Sequence, residues 1–447
     1  MRKARGLHII LGVHQFFPEY QTGTEVLTLE LARGLRSLGH VVHVLTGAME
    51  HNVQYTAKPW LTHDEYDGFS VYKLHYGVSN WNKIAFLELS NLNRINLIKD
   101  LISTDKPDIV HFNHLIGFTG GVIPEIRNMG IPVVFTATDF WAICPAYTLY
   151  RRFEKRVCEP PVHPEDCLRC LVSMPEWAAK IALQVGKIPL NKMSIKGLAL
   201  NAMGNRLQKM TEYINSADSI LVSTNFLANI LKKGGIDGNR IKVVPYGVDI
   251  GFLPEHISIP DIFSEKEPLR IGFIGTLSEK KGVHVILDSL SYFDNKTKNI
   301  ELSIYGGIPD DDPYCKMLLE KAKLIGNTVR FMGTFPHEKI GEILRNFHVL
   351  VIPSVWYESS PLVLSSALNA HTPLIVSDLG GLTEMIRGGD YGFSFPARDE
   401  KTLASILSDI LDKPELLRKT RQNMKGLKRT TLDYVKEVES EYLKILS

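Results

Sequence analysis

Glu358 opens the stretch ESSPLVLSSALNAHTPLIVSD, a lone carboxylate followed by a proline and an apolar helical pattern. Ser360 suits an N-cap and Pro361 a first helical position, so the reading puts Glu358 just outside a helix N-terminus. Such a terminus has free N–H groups and partial positive charge, and it favours an anion such as a diphosphate. A carboxylate beside it can accept hydrogen bonds from sugar hydroxyls. The plainer alternative is that Glu358 only offsets the helix dipole. In GFIGTLSEKKGVHVILDSL a strand ends at Gly275 and a short loop leads through Lys281 and Gly282 into a helix. Lys281 could reach a phosphate there, or be a solvated lysine in a turn. In TGTE, Gly23 falls where the first strand turns into its helix, and a glycine there allows a ligand close to the backbone. An ordinary tight turn would look the same.

Thiols form a second group. Cys144, Cys158, Cys167 and Cys170 cluster, the last two as CxxC, in a segment with many prolines and charges. In a reducing compartment such a cluster points to metal rather than disulfides, and four thiolates suit tetrahedral zinc. His163 is an alternative ligand. The expectation is a structural zinc, with four reduced cysteines in a flexible insertion as the competing reading. Asp310, Asp311 and Asp312 read as a solvated loop rather than a metal site.

These loops need elements to hold them. The chain has 447 residues, 44% apolar and 22% charged, with net charge +2. That fits a globular protein of two or three domains and gives no drive toward nucleic acid. No apolar run approaches the roughly 18 residues that span a bilayer. The N-terminus has a basic start and a short apolar run but no small-residue cleavage site, so a cytoplasmic location is expected. HIILGVH, EVLTLELARGLRSLG and VVHVLTG read as strand, helix and strand, with Val26, Leu29, Leu35 and Leu38 near one helical face. DIVHFN, PVVFTA, SILVST and IKVVP continue the strands of this half. Tyr246–Pro268 reads as a linker, rich in Gly, Pro and charge. LRIGFIG, IELSIYG, TVRFMG, HVLVIP, PLIVSD and YGFSFP then restart the alternation. The fold expected is α/β, two Rossmann-like doubly wound domains facing across a cleft, with function in the loops after the strands. The domains fall at 1–248, with a cysteine-containing insertion at about 144–170, and 249–428, followed by a helix over 429–447. The segment 172–210 mixes apolar residues with lysines. It packs on the sheet or lies on an anionic membrane surface.

The ordered motifs TGTEVLTLELARGLRSLGHVVHVLT, DIVHFNHL, TATDFWAICP, VVPYGVD, GTLSEKKGVHVIL, IYGG, VIPSVWYESSPLVLSSAL and SDLGGLTEMI resemble family-4 glycosyltransferases of the GT-B fold over nearly the whole chain. The resemblance implies sugar transfer from a nucleotide-sugar with retention. It puts the donor on the C-terminal domain, the acceptor on the N-terminal domain, and the last helix back on the first domain. It gives Glu358 the donor sugar and Lys281 the phosphate. It gives Gly23 the close approach to the donor phosphate, and Gly380, Gly381 and Glu384 the loop beside the donor. Three positions depart from the family. Ser366 stands where a second glutamate would bind the ribose, Thr276 where an arginine would pair with Lys281, and Thr138 where a histidine precedes the aspartate of a THDFW-like loop.

The function expected is a retaining glycosyltransferase of surface polysaccharide or glycolipid synthesis. Its partners would be a UDP- or GDP-sugar, a glycan or lipid-linked acceptor and a peripheral membrane surface, without nucleic acid. Lys281, the helix N-terminus and the backbone at Gly23 would stabilise the leaving diphosphate with no catalytic cofactor. The alternative is a degenerate, non-catalytic GT-B protein that binds a sugar nucleotide or a partner enzyme. A sugar-nucleotide epimerase is disfavoured by the motif around Glu358.

Overall fold

The computed structural model describes residues 6–54, 57–77, 89–151, 153–172, 176–186, 195–251, 267–293 and 299–447. The chain divides into two compact units. One is Met1–Pro245 with Thr431–Ser447, and the other is Tyr246–Thr430. Most of the Tyr246–Pro268 linker lies outside the described residues.

The first unit holds β1 (His8–Val13), β2 (Val41–Glu50), β3 (Trp60–Tyr66), β4 (Phe69–Gly77), β5 (Ile109–Phe112), β6 (Val133–Ala137), β7 (Tyr150–Arg151), β8 (Arg156–Val157), β9 (Ser219–Val222) and β10 (Ile241–Val243). Eight of these form one sheet in the order β10-β9-β6-β5-β1-β2-β4-β3, and β7 pairs with β8. All neighbours in the large sheet are parallel except the hairpin β3–β4. The central strands β5, β6 and β9 are buried along their length, as strands covered on both faces must be.

The helix Gly23–Ser37 buries Leu27, Leu29, Leu31, Ala32 and Leu35. That differs from the expected stripe, since Val26 and Leu38 are only half-buried. The reason is a second neighbour. The final helix, Thr431–Leu446, packs on it so closely that a Cβ on Gly34 would lie 2.4 Å from Val435 Cγ2. This last helix also ties itself to the sheet. Ser219 Oγ donates to Glu441 at 2.8 Å, and the buried His111 hydrogen-bonds both the Tyr442 hydroxyl and Thr136. At the opposite ends of the strands, Asp105 takes His8 and His43 at 3.2 and 3.0 Å.

The second unit holds β11 (Leu269–Ile274), β12 (Ile300–Tyr305), β13 (Val329–Gly333), β14 (Val349–Ile352), β15 (Leu374–Ser377) and β16 (Gly392–Phe395). They form one parallel sheet, β13-β12-β11-β14-β15-β16. One cluster around Ile271, Leu302 and Leu407 and another around Leu350, Leu364 and Leu382 make its core. Strand order reverses between β11 and β14, and the crevice beyond the carboxyl ends of two such strands is where open α/β sheets bind ligands. The incoming and outgoing chains meet at Asn369, whose side chain donates to the carbonyls of Val248 and Arg429 at 2.8 and 2.9 Å.

Candidate active site

In the second unit the loops after β11 and β14 bring Lys281 and Glu358 together. Lys281 Nζ donates to Glu358 Oε1 at 2.7 Å, and Ser354 Oγ and Trp356 Nε1 donate to the same oxygen at 2.8 and 2.9 Å. The glutamate side chain is 8% exposed and the lysine 27%, so the pair is anchored inside and open on the ammonium side. Two backbone features hold Lys281. It ends a 3₁₀ turn, Glu279–Lys281, closed by Gly282 at φ 74°. A Cβ at 282 would also meet the Pro353 carbonyl at 1.9 Å, so only glycine fits. The Lys280 carbonyl accepts from Val355 N at 2.9 Å, which links the two loops. The ammonium groups of Lys280 and Lys281 stand 4.9 and 5.7 Å from the centre of the Trp356 ring.

Gly380 and Gly381 lie against this pair. Gly381 N donates to the Glu358 carbonyl at 3.1 Å, and a Cβ there would approach the Ser359 carbonyl to 2.4 Å. Glu384 is half-buried in the short helix Gly381–Met385. The helix after Glu358 is Leu362–Asn369, with Pro361 at the cap, φ −68° and ψ 127°. This corrects the expected start by one residue: Pro361 keeps an extended ψ, so Ser360 is not the cap. Ser366 is 1% exposed, and its hydroxyl donates to the Leu362 carbonyl at 3.0 Å. Its proton is thus committed to its own helix.

Beyond the carboxyl ends of β11, β12 and β13 lies an open depression of about 630 Å³. Gly275, Thr276, Gly306, Gly307, Thr334 and Phe335 line it. The size suits a nucleoside-sized ligand. Thr276, Gly306 and Gly307 fall in motifs legible in the sequence, whereas Thr334 and Phe335 join the lining only through the fold. Asp312 caps the helix Pro313–Ile325, accepting from Tyr314 N and Cys315 N at 2.8 and 3.0 Å, while Asp310 and Asp311 are exposed.

In the first unit a second polar cluster gathers at the carboxyl ends of β1, β5 and β6. Glu25 is fully buried. Its Oε2 accepts from Thr22 N at 3.0 Å, a capping-box contact, while Oε1 has no hydrogen-bond partner. His14 Nε2 stands 3.6 Å from that oxygen. Burial and the neighbouring His114 hold the His14 imidazole well below its ordinary pKa, so it is neutral. His114 Nε2 lies 3.2 Å from Asp139 Oδ2, and the other Asp139 oxygen accepts from Trp141 N at 2.8 Å. Thr138 reaches the Asn113 carbonyl at 3.4 Å. Gly23 is exposed as the first helical residue, and a Cβ there would meet nothing within 4 Å. His14, Glu25 and His114 escaped sequence reading. The Thr22-to-Glu25 spacing reads as a helix cap, and only the fold makes it a buried cluster.

The four cysteines come together. Cys144 follows β6, Cys158 follows β8, and Cys167 and Cys170 share the helix Pro164–Val172. All four line one small cavity of about 20 Å³. Burial pushes the Cys144 thiol up to about 11 and raises those of Cys158 and Cys167. His163 is exposed and does not line the cavity. Among the described residues the ligand-type side chains whose donor atoms all lie within 4.8 Å of one another are His8, His43 and Asp105. The four sulfurs stand wider. In the segment that follows, Trp177 and Ile181 are 69% and 57% exposed, one turn apart on the helix Glu176–Gly186. No helix among the described residues is long and apolar enough to cross a membrane.

Two parallel α/β units with polar loops at the carboxyl ends of their strands define a GT-B protein. The solved structure of Anabaena Alr3699/HepE in complex with UDP has the same fold: TM-score 0.65 at 13% identity, over 98% of this chain and 100% of that one. Two family models match, Glycosyltransferase Family 4 over residues 21–161 and Glycosyl transferases group 1 over residues 257–426. The chain belongs to the family-4, group 1 glycosyltransferases. A glycogen synthase of Mycobacterium tuberculosis is 28% identical over 204 residues, 45% of this chain and 47% of that protein. The chain thus spans about half the length of the first curated relatives it matches. An uncharacterized 42.6 kDa protein in the cps region of Klebsiella pneumoniae is 22% identical over 393 residues, 85% of this chain and 88% of that protein.

Proposed function

We propose that this chain transfers a hexosyl or related sugar from a UDP- or GDP-sugar to a glycan or lipid-linked acceptor, with retention, in surface polysaccharide or glycolipid synthesis. The observation that carries this is the 2.7 Å pair of Lys281 and Glu358 at the strand-order reversal. In this reading Lys281 supplies the charge that the leaving diphosphate needs, which makes a catalytic divalent ion unnecessary. The N-terminus of Leu362–Asn369 adds its dipole. Glu358 receives the hydroxyls of the donor sugar. Gly380 and Gly381 keep the wall beside it free of side chains, and Glu384 borders that loop. Thr276 sits at the nucleoside end, in the depression after β11. Ser366 contributes little to the ribose, because it is 1% exposed and its hydroxyl is turned to the Leu362 carbonyl of its own helix. The Tyr246–Thr430 unit thus takes the donor.

The other unit takes the acceptor. There Gly23 has no packing reason to be glycine, which supports a role in letting a phosphate reach the helix N-terminus. Thr138 offers a hydroxyl in place of the family's imidazole. The exposed Trp177 and Ile181 support contact with a lipid surface carrying the acceptor. Location at the cytoplasmic face of a membrane follows from that reading. The substitutions at Thr138, Thr276 and Ser366 favour the second reading, a non-catalytic relative that binds a sugar nucleotide or a partner glycosyltransferase.

Calorimetric titration with UDP, GDP and their sugars separates the two. One nucleotide should bind, and Lys281→Ala should weaken it roughly 10- to 100-fold, the worth of one charge-assisted bond. Glu358→Gln should abolish transfer with its melting temperature nearly kept. Absence of binding by every nucleotide would reverse the choice in favour of the non-catalytic reading. In the acceptor assay, a vesicle-borne lipid acceptor used no better than a free sugar would sink the membrane reading.

A further inference from the structure

We propose that Cys144, Cys158, Cys167 and Cys170 hold one zinc ion, which fastens the excursion after β6 and steadies the loop that carries Thr138 and Asp139. Three successive chain segments deliver these thiols to one cavity of about 20 Å³, room for about one small sphere. Cys167 and Cys170, three apart on one helix, share a face.

Charge gives an independent observation. Arg206 is 2% exposed, and its Nε and Nη1 have no hydrogen-bond partner, while Nη2 donates to the Trp141 carbonyl at 2.6 Å. Its field reaches Cys144 and Cys167. Arg151 also lines the cavity, but its Nη1 and Nη2 donate to Asp166 at 3.1 and 2.9 Å, so a carboxylate already balances it. A buried guanidinium with two nitrogens unpartnered is costly, and four neutral thiols are poor acceptors. Four thiolates around Zn²⁺ carry a net charge of −2, which the buried Arg206 guanidinium offsets in part. Two disulfides would carry none and would leave Arg206 as it is.

Packing gives the need. The excursion's local core is small, with Leu168, Ala179 and Met203 buried and Cys167, Leu171 and Ala182 packed on them. Its sheet is two strands of two residues each. A segment with so little to bury depends on a staple. The sulfurs stand wider than a closed zinc tetrahedron. A change of χ1 rotamer moves a sulfur by roughly 3 Å, so closure is a matter of side-chain torsions.

The full chain, purified without added metal, should carry about one zinc by elemental analysis and release it in step with mercurial capture of thiols. Replacement by cobalt should give the intense near-ultraviolet thiolate-to-metal bands and the visible pattern of a tetrahedral four-sulfur site. Cys167→Ser and Cys170→Ser should lose the zinc, whereas Cys315→Ser, in the other unit, should keep it. The cobalt spectrum tests the native chain even if the serine variants fail to fold. A native chain with four freely titrating thiols and no zinc would overturn the proposal, as would disulfides among these cysteines or iron with acid-labile sulfide.

Discussion

Glu358 receives a lysine, a serine and a tryptophan on a single oxygen, which makes it a fixed acceptor rather than a mobile surface charge. That much was half legible in the sequence. The glutamate and lysine each follow an apolar run, and loops after strands are where such sheets work. Their union was not legible, because they lie 77 positions apart. Ser366 teaches the reverse. At one-dimensional resolution it is a weakened polar contact, yet in the fold it is buried and bonded to its own helix. His114 lies just past β5 among apolar neighbours and carries no motif of its own, although it brings an imidazole to Asp139 at 3.2 Å. In the proposed reading Thr138 takes the place of the family's imidazole, and His114, 3.2 Å from Asp139, orients that carboxylate. His114→Ala should therefore lower kcat roughly tenfold, less than the roughly 100-fold or more of a positioned acid–base group itself, with the donor KM little changed. Equal kcat in wild type and variant, with equal melting temperatures, would remove His114 from the reaction.

At the scale of elements, the alternation of apolar strands and periodic helices was readable because period and composition are local. The hairpin β3–β4 was not. β3, WLTHDEY, is polar and largely exposed as the sheet's edge, so it lacks an apolar run. The clue available was Asp67–Gly68, both at positive φ (53° and 73°), the pattern of a tight hairpin turn. The buried stripe of Gly23–Ser37 was misjudged for a related reason. A helix with two neighbours buries more than one face, and its second neighbour arrives from the far end of the chain. That contact can be tested. Gly34→Val should lower stability by about 1–3 kcal/mol through overpacking against Val435. Val435→Ala in the same chain should recover part of the loss, a coupling that thermal unfolding of both singles and the double would measure. Strict additivity would mean that the two helices do not touch there.

For the molecule as a whole, buried histidines set the acid response. Burial holds His111 at about 3, and burial with Arg270 and Arg421 nearby holds His348 at about 3. His14 is also depressed. In the unfolded chain these groups titrate near 6.5. Below that pH the unfolded state binds more protons than the folded one, so stability falls as pH drops from about 6.5 toward 3. The melting temperature should therefore decline steadily between pH 7 and pH 5, and the slope should shrink in His111→Gln. A flat profile over that range would contradict the burial of these rings.

By itself the sequence determined the class of fold, the two alternating halves, the family and the loops that hold Lys281 and Glu358. Each of these rests on short-range pattern or on motif order, which survive without coordinates. Tertiary structure alone decided which residues meet: Lys281 with Glu358, His114 with Asp139, four thiols on one cavity, and the last helix against the first. It also decided that Ser366 is buried against its own helix and that Glu25 is buried with an oxygen to spare. Such facts depend on chain closure over tens to hundreds of residues and on burial from more than one side, and neither is encoded in any single window of the chain.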